Sequence, residues 1–350
     1  MTSELALLRL AAQRLVGPSP RTPAEAVRWL TAVQGQDLPG AVLSVALRSG
    51  PGTRAAVTAA LDEGSIVRSW PMRGTLHLTA ADDLPWLLEL LGPRVLAGAA
   101  GRRASLELTD ADVERAREVA LAALTGGRRL GRAELLAELT AGGVPTEGQR
   151  GYHVLWYLSQ TGTLVLGPTA DGDQQFVLLD EWVPTPRRLD REEALGELAL
   201  RYFRSHGPAT VKDLVRWAGC TVGDVKAGLA LARPQLEPLT VDGVEHLMDP
   251  ETPDRLAAAR EAAGGVLLLP GFDELVLGYA DRSCTVPAEH AQRIVPGNNG
   301  MFRPTVVHRG TVVAVWRTGR TKARALELEP FGELPADVRA AVEARYAALS

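Results

Sequence analysis

The chain has 350 residues, which is more than one ordinary hydrophobic core fills and predicts two or three folding units. Hydrophobic residues make up 46% and charged residues 23%, a globular composition that excludes global disorder. The net charge of −4 describes the whole surface, so it does not exclude a local basic patch that binds nucleic acid.

The first third of the chain is predicted to form short helices followed by a β-hairpin. Apolar residues recur at helical spacing in three segments, 3–15, 24–33 and 40–48. Two β-rich segments, 65–70 and 75–78, then flank Pro71 and Gly74, which predicts a strand, a turn and a second strand. Helices followed by a hairpin are the order of a winged helix, in which the hairpin is the wing.

The same order of elements returns twice. Over 128–183 helical segments precede a hairpin that turns at 171–173, and over 194–247 they precede one that turns at Asp242-Gly243. Helix-turn-helix units usually mark a DNA-binding protein, although winged helices also serve as protein-interaction modules. Three copies in one chain favour DNA, because a row of them can form one long concave surface.

After Gly264 the pattern changes to short β-branched runs at 264–270, 274–280, 304–310 and 311–317. These runs predict a small β-sheet or barrel, and the amphipathic segment 333–349 predicts a helix that packs on it. The expected fold class is therefore α+β, with three tandem winged helix-turn-helix units and a small C-terminal β-domain. The corresponding domains are 1–125, 126–188, 189–260 and 261–350.

Four segments resemble those of a single family and occur in the same order. They are AVQGQD at 32–37, SWPMRGTLHL at 69–78, LLPGFDELVLGYADRS at 268–283 and NNGMFRP at 298–304. The family is that of the winged-helix DNA glycosylases of the AlkZ and YcaQ type. The resemblance implies a monofunctional glycosylase with three tandem winged helices around a basic cleft, a C-terminal β-domain and no metal or organic cofactor.

The resemblance also identifies the candidate catalytic residues. Gln34 and Gln36 match a Gln-x-Gln motif that is essential in the family, although Gly35 stands where an apolar residue is usual. A second glutamine in place of an acid favours the AlkZ branch. Without the resemblance, both glutamines would be interpreted as helix-capping or solvent-facing residues. Asp37 either supports catalysis by activating water or caps the helix that starts at Leu38, and we favour the cap.

The chemistry of two amides restricts the substrate. An amide is not a general base at pH 7, so Gln34 and Gln36 can only orient water and stabilise positive charge through their carbonyl oxygens. An N7- or N3-alkylpurine already carries a positive charge and leaves without strong acid catalysis. The expected activity is excision of N-alkylated purines from duplex DNA, including the unhooking of interstrand crosslinks. The sequence does not decide between self-resistance and general repair.

Several residues are candidate DNA contacts. Arg73 and His77 flank the first wing, although a lone histidine is more often structural. The resemblance implies a β-hairpin that enters the DNA cleft, and we place it at 303–316, where Arg303, His308 and Arg309 are the candidates. Asp273 and Glu274 form an acidic pair that suggests a two-carboxylate hydrolase, but we interpret it as a feature of a turn.

The remaining expectations concern partners and location. Cys220 and Cys284 lie far apart in sequence and no histidine pair has the spacing of metal ligands, so no disulfide framework or metal site is predicted. No apolar run is long enough to cross a bilayer and no secretory signal is visible, which predicts a cytoplasmic protein. We expect a monomer that binds duplex DNA. The alternative function is that of a non-catalytic transcription regulator, which would bind one specific operator.

Overall fold

A computed structural model describes residues 2–170, 172–319 and 325–349, and shows a mixed α/β protein with small antiparallel sheets. The helices in chain order are α1 (Thr2–Ala12), α2 (Pro23–Leu30), α3 (Leu38–Ala46), α4 (Arg54–Asp62), α5 (Leu84–Gly98), α6 (Ala100–Ser105), α7 (Asp110–Leu124), α8 (Arg132–Ala141), α9 (Arg150–Gln160), α10 (Leu179–Trp182), α11 (Arg191–His206), α12 (Val211–Ala218), α13 (Val222–Ala232), α14 (Thr252–Ala258), α15 (Arg260–Ala263), α16 (Glu274–Leu277), α17 (Ala291–Ile294) and α18 (Ala336–Ala347). The strands are β1 (Val33–Gln34), β2 (Ile66–Met72), β3 (Thr75–Ala80), β4 (Leu164–Ala170), β5 (Asp173–Leu178), β6 (Glu237–Val241), β7 (Val244–Met248), β8 (Val266–Leu269), β9 (Thr305–His308), β10 (Thr311–Thr318) and β11 (Leu326–Pro330). Within the described part of the chain, every helix is too short or too polar to span a membrane.

Contacts between residues divide the chain into two compact units. The first, here called the terminal unit, combines Met1–Arg54 with Leu195–Ser350, and the second, the central unit, is Ala55–Ala194. These units cut across the predicted domain boundaries after residues 125, 188 and 260. The division into four consecutive domains therefore remains a prediction.

In the central unit, β2 and β3 form the hairpin that the sequence predicted. Met72 pairs with Thr75 across Arg73 and Gly74, whose φ angles of 55° and 70° give the two-residue turn its left-handed backbone. Strand β2 also pairs with β4, so the strands lie in the order β3-β2-β4-β5. The two predicted wings of this unit thus join in one antiparallel sheet, which the sequence did not indicate.

One face of this sheet packs against helices of the same unit. The core combines strand residues with apolar residues of α7, α8 and α9, and includes Trp70, Leu135, Val154, Leu158 and Phe176.

Helices α4 to α7 were not predicted. Helix α5 in particular is apolar on almost every side and contains Pro93, so it lacks the amphipathic pattern by which a surface helix is identified.

In the terminal unit, the C-terminal strands form an open antiparallel sheet in the order β11-β10-β9-β8. Helix α18 covers it, and Val338 and Val342 share a core with Leu268, Ala314 and Trp316. The predicted sheet and its final helix are confirmed. The prediction of a strand over 274–280 is wrong, because Asp273 caps a short helix there by accepting a hydrogen bond from the Leu275 N–H.

The order of helices followed by a hairpin is present at both predicted later positions. Helices α7, α8 and α9 precede β4 and β5, and α11, α12 and α13 precede β6 and β7. The β6–β7 hairpin turns at Asp242 and Gly243 with φ angles of 49° and 77°, as predicted. Part of the other predicted turn, at 171–173, lies outside the described residues.

Candidate active site

The Gln-Gly-Gln segment lies between α2 and α3 of the terminal unit. Gln34 ends strand β1 and is 6% exposed, whereas Gln36 lies in the bend before α3 and is exposed to solvent. The predicted helix over 24–33 stops early, because α2 ends at Leu30. The segment is therefore a strand end followed by a bend and not a helix, which allows an i, i+2 pair to serve one site, and its two amides differ in exposure.

The backbone leaves α2 through an unusual conformation. Thr31 is fully buried and has φ 70° and ψ −50°, a region that β-branched residues rarely adopt. Such a conformation costs about 1–3 kcal/mol and persists where the surrounding structure determines it. The turn at Thr31 directs the chain from α2 into β1, and so fixes where the Gln-Gly-Gln segment begins.

Asp37 occupies the N-cap position of α3, as expected from the sequence. Its backbone carbonyl accepts the Ala41 N–H at 2.9 Å, but its side chain makes no capping hydrogen bond to the described residues. Gly40 makes room for the carboxylate, because a Cβ there would lie 2.6 Å from Asp37 Oδ2. The exposed carboxylate therefore lies next in sequence to the exposed Gln36, near the N-terminus of a helix.

Glu274 is the residue that holds the backbone of Gln34. Its Oε1 accepts the Gln34 N–H at 3.1 Å, and its Oε2 accepts the Trp217 Nε1–H at 2.9 Å. The same oxygen lies 3.4 Å from His206 Nε2. Glu274 is fully buried, so these contacts compensate for the removal of its carboxylate from water. The interpretation of Glu274 as a turn feature missed this contact, since Gln34 is 240 residues away in sequence.

The adjacent Asp273, at the N-cap of α16, anchors this part of the chain to α3 and to Arg48 just after it. Arg48 donates hydrogen bonds of 2.8 Å to each of its carboxylate oxygens, and Ser44 Oγ donates a third of 2.7 Å. Burial raises the pKa of Asp273, but the Arg48 charge and the hydrogen bonds from Arg48, Leu275 and Ser44 outweigh it and bring this pKa below the usual 3.8. Asp273 is thus a buried ion-pair partner of Arg48, which argues against the two-carboxylate alternative to the turn interpretation.

His206 connects Glu274 to α11. Ser205 Oγ donates to the Arg201 carbonyl at 2.7 Å, so its oxygen is left to accept a hydrogen bond from the His206 Nδ1–H at 2.8 Å. The ring stacks on Tyr202 with centroids 4.6 Å apart. Through Nε2 the same ring lies 3.4 Å from Glu274 Oε2, so His206 links Glu274 to α11.

A chain of buried polar groups continues from His206 to α1. The Tyr279 hydroxyl donates to the His206 carbonyl at 2.8 Å and accepts from Gln13 Nε2 at 3.0 Å. Arg9 lies over the Tyr279 ring at 3.7 Å, and burial raises the pKa of this tyrosine. Gln13, which directly follows α1, and residues of α11 and α12 therefore contribute to one hydrogen-bonded network that reaches Gln34 through Glu274.

In the central unit, the two candidate DNA contacts of the first wing differ. His77 is fully buried, so the direct DNA contact expected from the sequence is unavailable to its ring in this structure. Its Nε2 contacts Arg73 at 3.1 Å and its Nδ1 contacts the Thr75 carbonyl at 2.8 Å. Burial and the Arg73 charge lower the pKa of His77 well below 6.5, so the neutral ring accepts from the half-buried Arg73 and orients it.

The other three candidates lie on or beside the β9–β10 hairpin. Arg303 binds Glu329 at 2.8 Å and the Arg293 carbonyl at 3.1 Å, so its charge is already paired. His308 is half-buried and Arg309 is exposed in the two-residue turn. The next residue, Gly310, packs against α1, because a Cβ there would lie 2.9 Å from Ala6 Cβ. The turn therefore packs against α1, and entry of this hairpin into DNA remains a prediction.

Cys220 and Cys284 are both buried free thiols. No cluster of three or more metal-ligating side chains is found in the parts of the chain that the structure describes. The side chains of the segment itself and of the residue after it supply two amides and the exposed Asp37 carboxylate.

Comparison with known proteins identifies similar chains. The family model described as "DNA glycosylase AlkZ-like" matches residues 27–350. An interstrand DNA cross-link repair glycosylase of Streptomyces sahachiroi is 29% identical over 314 residues, covering 85% of this chain and 83% of the relative. The solved structure of the Streptomyces sahachiroi DNA glycosylase AlkZ superposes with a TM-score of 0.82 at 26% identity, covering 99% of this chain and 95% of that one.

Proposed function

Because the chain belongs to the AlkZ-like DNA glycosylase family, we propose that Gln34 and Gln36 are its catalytic residues and that it excises N-alkylated purines from duplex DNA. The observation that carries this proposal is the buried carboxylate of Glu274, which holds the Gln34 backbone, while Gln36 faces solvent two residues later. A segment that only covered the surface would have no need of such an anchor.

The reaction needs little from the protein beyond electrostatics. The bond between the sugar C1′ and the purine nitrogen breaks, and its electron pair neutralises the positive charge of the alkylated base. Amide oxygens of Gln34 and Gln36 stabilise the positive charge on the sugar and orient the water that adds to C1′. The water loses its proton to solvent or to Asp37, which we propose as a supporting base. No amine attacks the sugar, so the enzyme is monofunctional.

We further propose that the three helix-and-hairpin units are tandem winged helices that bind the DNA backbone. The proposal is supported by the repeated element order and by Arg73, whose guanidinium is oriented by His77. Arg303, His308 and Arg309 remain proposed contacts of the β9–β10 hairpin. The protein is proposed to act as a cytoplasmic monomer without a metal or organic cofactor.

Interstrand crosslinks are the second proposed substrate. The relative from Streptomyces sahachiroi is named for crosslink repair, and this chain matches most of its length. A crosslinked base cannot rotate into a deep pocket in the ordinary way, so an exposed residue such as Gln36 is better suited to it than an enclosed one.

The decisive experiment measures single-turnover release of 7-methylguanine from duplex DNA by the wild type, Gln34→Ala and Gln36→Ala. We expect release by the wild type and a large loss in both variants. Equal rates in all three proteins would contradict the site assignment, and no release by the wild type would contradict the substrate. Borohydride added during turnover should trap no protein–DNA adduct, since a trapped adduct would indicate an amine nucleophile.

A second assay tests the crosslink substrate with a duplex that carries an interstrand crosslink between N7-alkylated guanines. Unhooking is followed as the conversion of crosslinked duplex to single strands on a denaturing gel. Activity on 7-methylguanine without unhooking would restrict the enzyme to monoadducts.

A further inference from the structure

We propose that Glu274 is a positioning residue for catalysis, which fixes the Gln-Gly-Gln segment by binding the main-chain N–H of Gln34. The inference rests on the proposed catalytic role of Gln34 and Gln36. It adds a residue from the other end of the chain, placed there by a 3.1 Å hydrogen bond from a fully buried carboxylate.

The choice of a main-chain contact is informative. A hydrogen bond from an N–H to a carboxylate is roughly twice as strong as one to a neutral acceptor and prefers a linear geometry. It therefore fixes the peptide plane between Val33 and Gln34, and with it the directions in which the two glutamine side chains leave the backbone. Glu274 achieves this without using the side-chain amide that the reaction needs.

Glu274 is itself held in place by two other elements. Trp217 from α12 donates to Oε2 at 2.9 Å, and His206 from α11 lies 3.4 Å from the same oxygen. With Oε2 occupied by these groups, Oε1 is directed at Gln34. The two carboxylate oxygens thus bind different partners, and a variant that removes one acceptor oxygen tests whether both are needed.

Glu274→Gln tests it by replacing two acceptor oxygens with one oxygen and one NH₂ group. The Gln34 N–H and the Trp217 N–H then compete for a single acceptor, and one of them faces a donor. We expect the single-turnover rate to fall by about 10- to 100-fold, the worth of one charge-assisted hydrogen bond, with DNA affinity unchanged. An unchanged rate would overturn the proposal.

Rescue by a second substitution separates positioning from packing. In Glu274→Gln with Trp217→Phe, the competing indole N–H is gone, so the amide oxygen can bind Gln34 and the NH₂ can donate to His206 Nε2. We expect the double variant to be several-fold faster than Glu274→Gln alone. If Glu274 only supported packing, loss of the buried Trp217 would make the double variant slower, and that result would overturn the proposal.

Glu274→Asp serves if Glu274→Gln does not fold. It keeps the charge but withdraws the carboxylate by about 1.5 Å, one C–C bond, and so breaks the contact with Gln34. We expect a loss of rate like that of Glu274→Gln, with no rescue by Trp217→Phe. A Glu274→Asp protein with the wild-type rate would equally contradict the proposal.

Asp249→Asn is the matched control. Asp249 is also a buried carboxylate, but it binds Arg255 at 2.9 Å and the Glu251 N–H at 3.0 Å, both within its own segment. We expect this variant to lose stability and keep the wild-type rate on the folded protein. An equal loss of rate in both variants would assign the effect to stability and overturn the proposal.

Hydrogen exchange of the segment 31–37 gives a readout that does not depend on activity. Glu274→Gln should accelerate exchange there, whereas Asp249→Asn should not. If the wild type released no base, the proposed function would fail, while the exchange result would still decide whether Glu274 fixes the segment. Unchanged exchange in Glu274→Gln would overturn the proposal.

Discussion

Arg48 binds Asp273 through two parallel hydrogen bonds of 2.8 Å, and each of the two side chains is 1% exposed. The pair ties α3, which follows the Gln-Gly-Gln segment, to the loop that carries Glu274. Both sides of the Gln34 contact are therefore fixed to the same ion pair. Asp273 and Glu274 are neighbours in sequence, yet one stabilises the framework and the other binds the segment.

Removing one partner of this pair should be strongly destabilising. Asp273→Ala leaves the Arg48 charge buried without its counter-ion, and we expect a loss of about 3–5 kcal/mol in the free energy of unfolding. Urea denaturation measures it. The double variant Arg48→Met with Asp273→Leu removes both charges and should recover much of the loss. A loss below about 1 kcal/mol in Asp273→Ala would show that Arg48 finds another partner or water.

Because the His77 ring is buried in its neutral form, the free energy of unfolding should decrease in mild acid. Its pKa in the folded protein lies well below 6.5, so the unfolded state binds a proton first as the pH falls. The contribution of His77 is complete above about pH 6.5 and is lost below it, at up to about 1.4 kcal/mol per pH unit. Urea denaturation from pH 7.5 to pH 5 should give a flatter profile for His77→Phe than for the wild type. Parallel profiles would show that His77 is not buried in its neutral form.

Arg73 and Arg303 should differ in their contribution to DNA binding. Arg73 lies in the turn of the β2–β3 hairpin beside His77, and Arg303 is bound by Glu329 and the Arg293 carbonyl, with which a phosphate would have to compete. Loss of one phosphate contact lowers the slope of log affinity against log salt by about 0.9, and we expect Arg73→Ala to approach this value. Arg303→Ala should change the slope less. Fluorescence anisotropy with undamaged duplex measures both slopes, and the reverse order would contradict this ranking.

Asp37 offers a test between a cap and a catalytic group. Because its side chain makes no capping hydrogen bond, Asp37→Asn should cost only the interaction of its charge with the N-terminus of α3, about 0.3–1 kcal/mol. If Asp37 is a supporting base, Asp37→Asn should also lower the single-turnover rate at constant DNA affinity. A change in stability alone would assign Asp37 to the helix and remove it from the reaction.

Local signals in the sequence were sufficient for some elements. The β2–β3 turn could be predicted from Gly74 between β-rich segments, although Pro71, which was also expected in the turn, lies within β2. The C-terminal sheet could be predicted from runs of β-branched residues. Helix α5 could not, because a helix that is apolar on almost every side has no amphipathic period. The strand predicted over 274–280 failed because a capping aspartate, Asp273, ends the extended backbone there.

The site could be predicted only in part, for a related reason. Gln34 and Gln36 were identified by their resemblance to a family motif, which is local in sequence. Glu274 was not, since its partners Gln34, His206 and Trp217 come from three distant segments and no spacing rule connects them. Likewise, nothing in the pattern around His77 distinguishes a buried ring that orients Arg73 from an exposed one.

The terminal unit joins the two ends of the chain, and this has a consequence for biosynthesis. Gln34 leaves the ribosome 240 residues before Glu274, so for most of translation the motif lacks its contact with that carboxylate. The central unit consists of consecutive residues and can fold while the C-terminal part is still being made. Nascent or prematurely terminated chains can thus acquire structure in the central unit while the Gln-Gly-Gln segment still lacks its contact with Glu274.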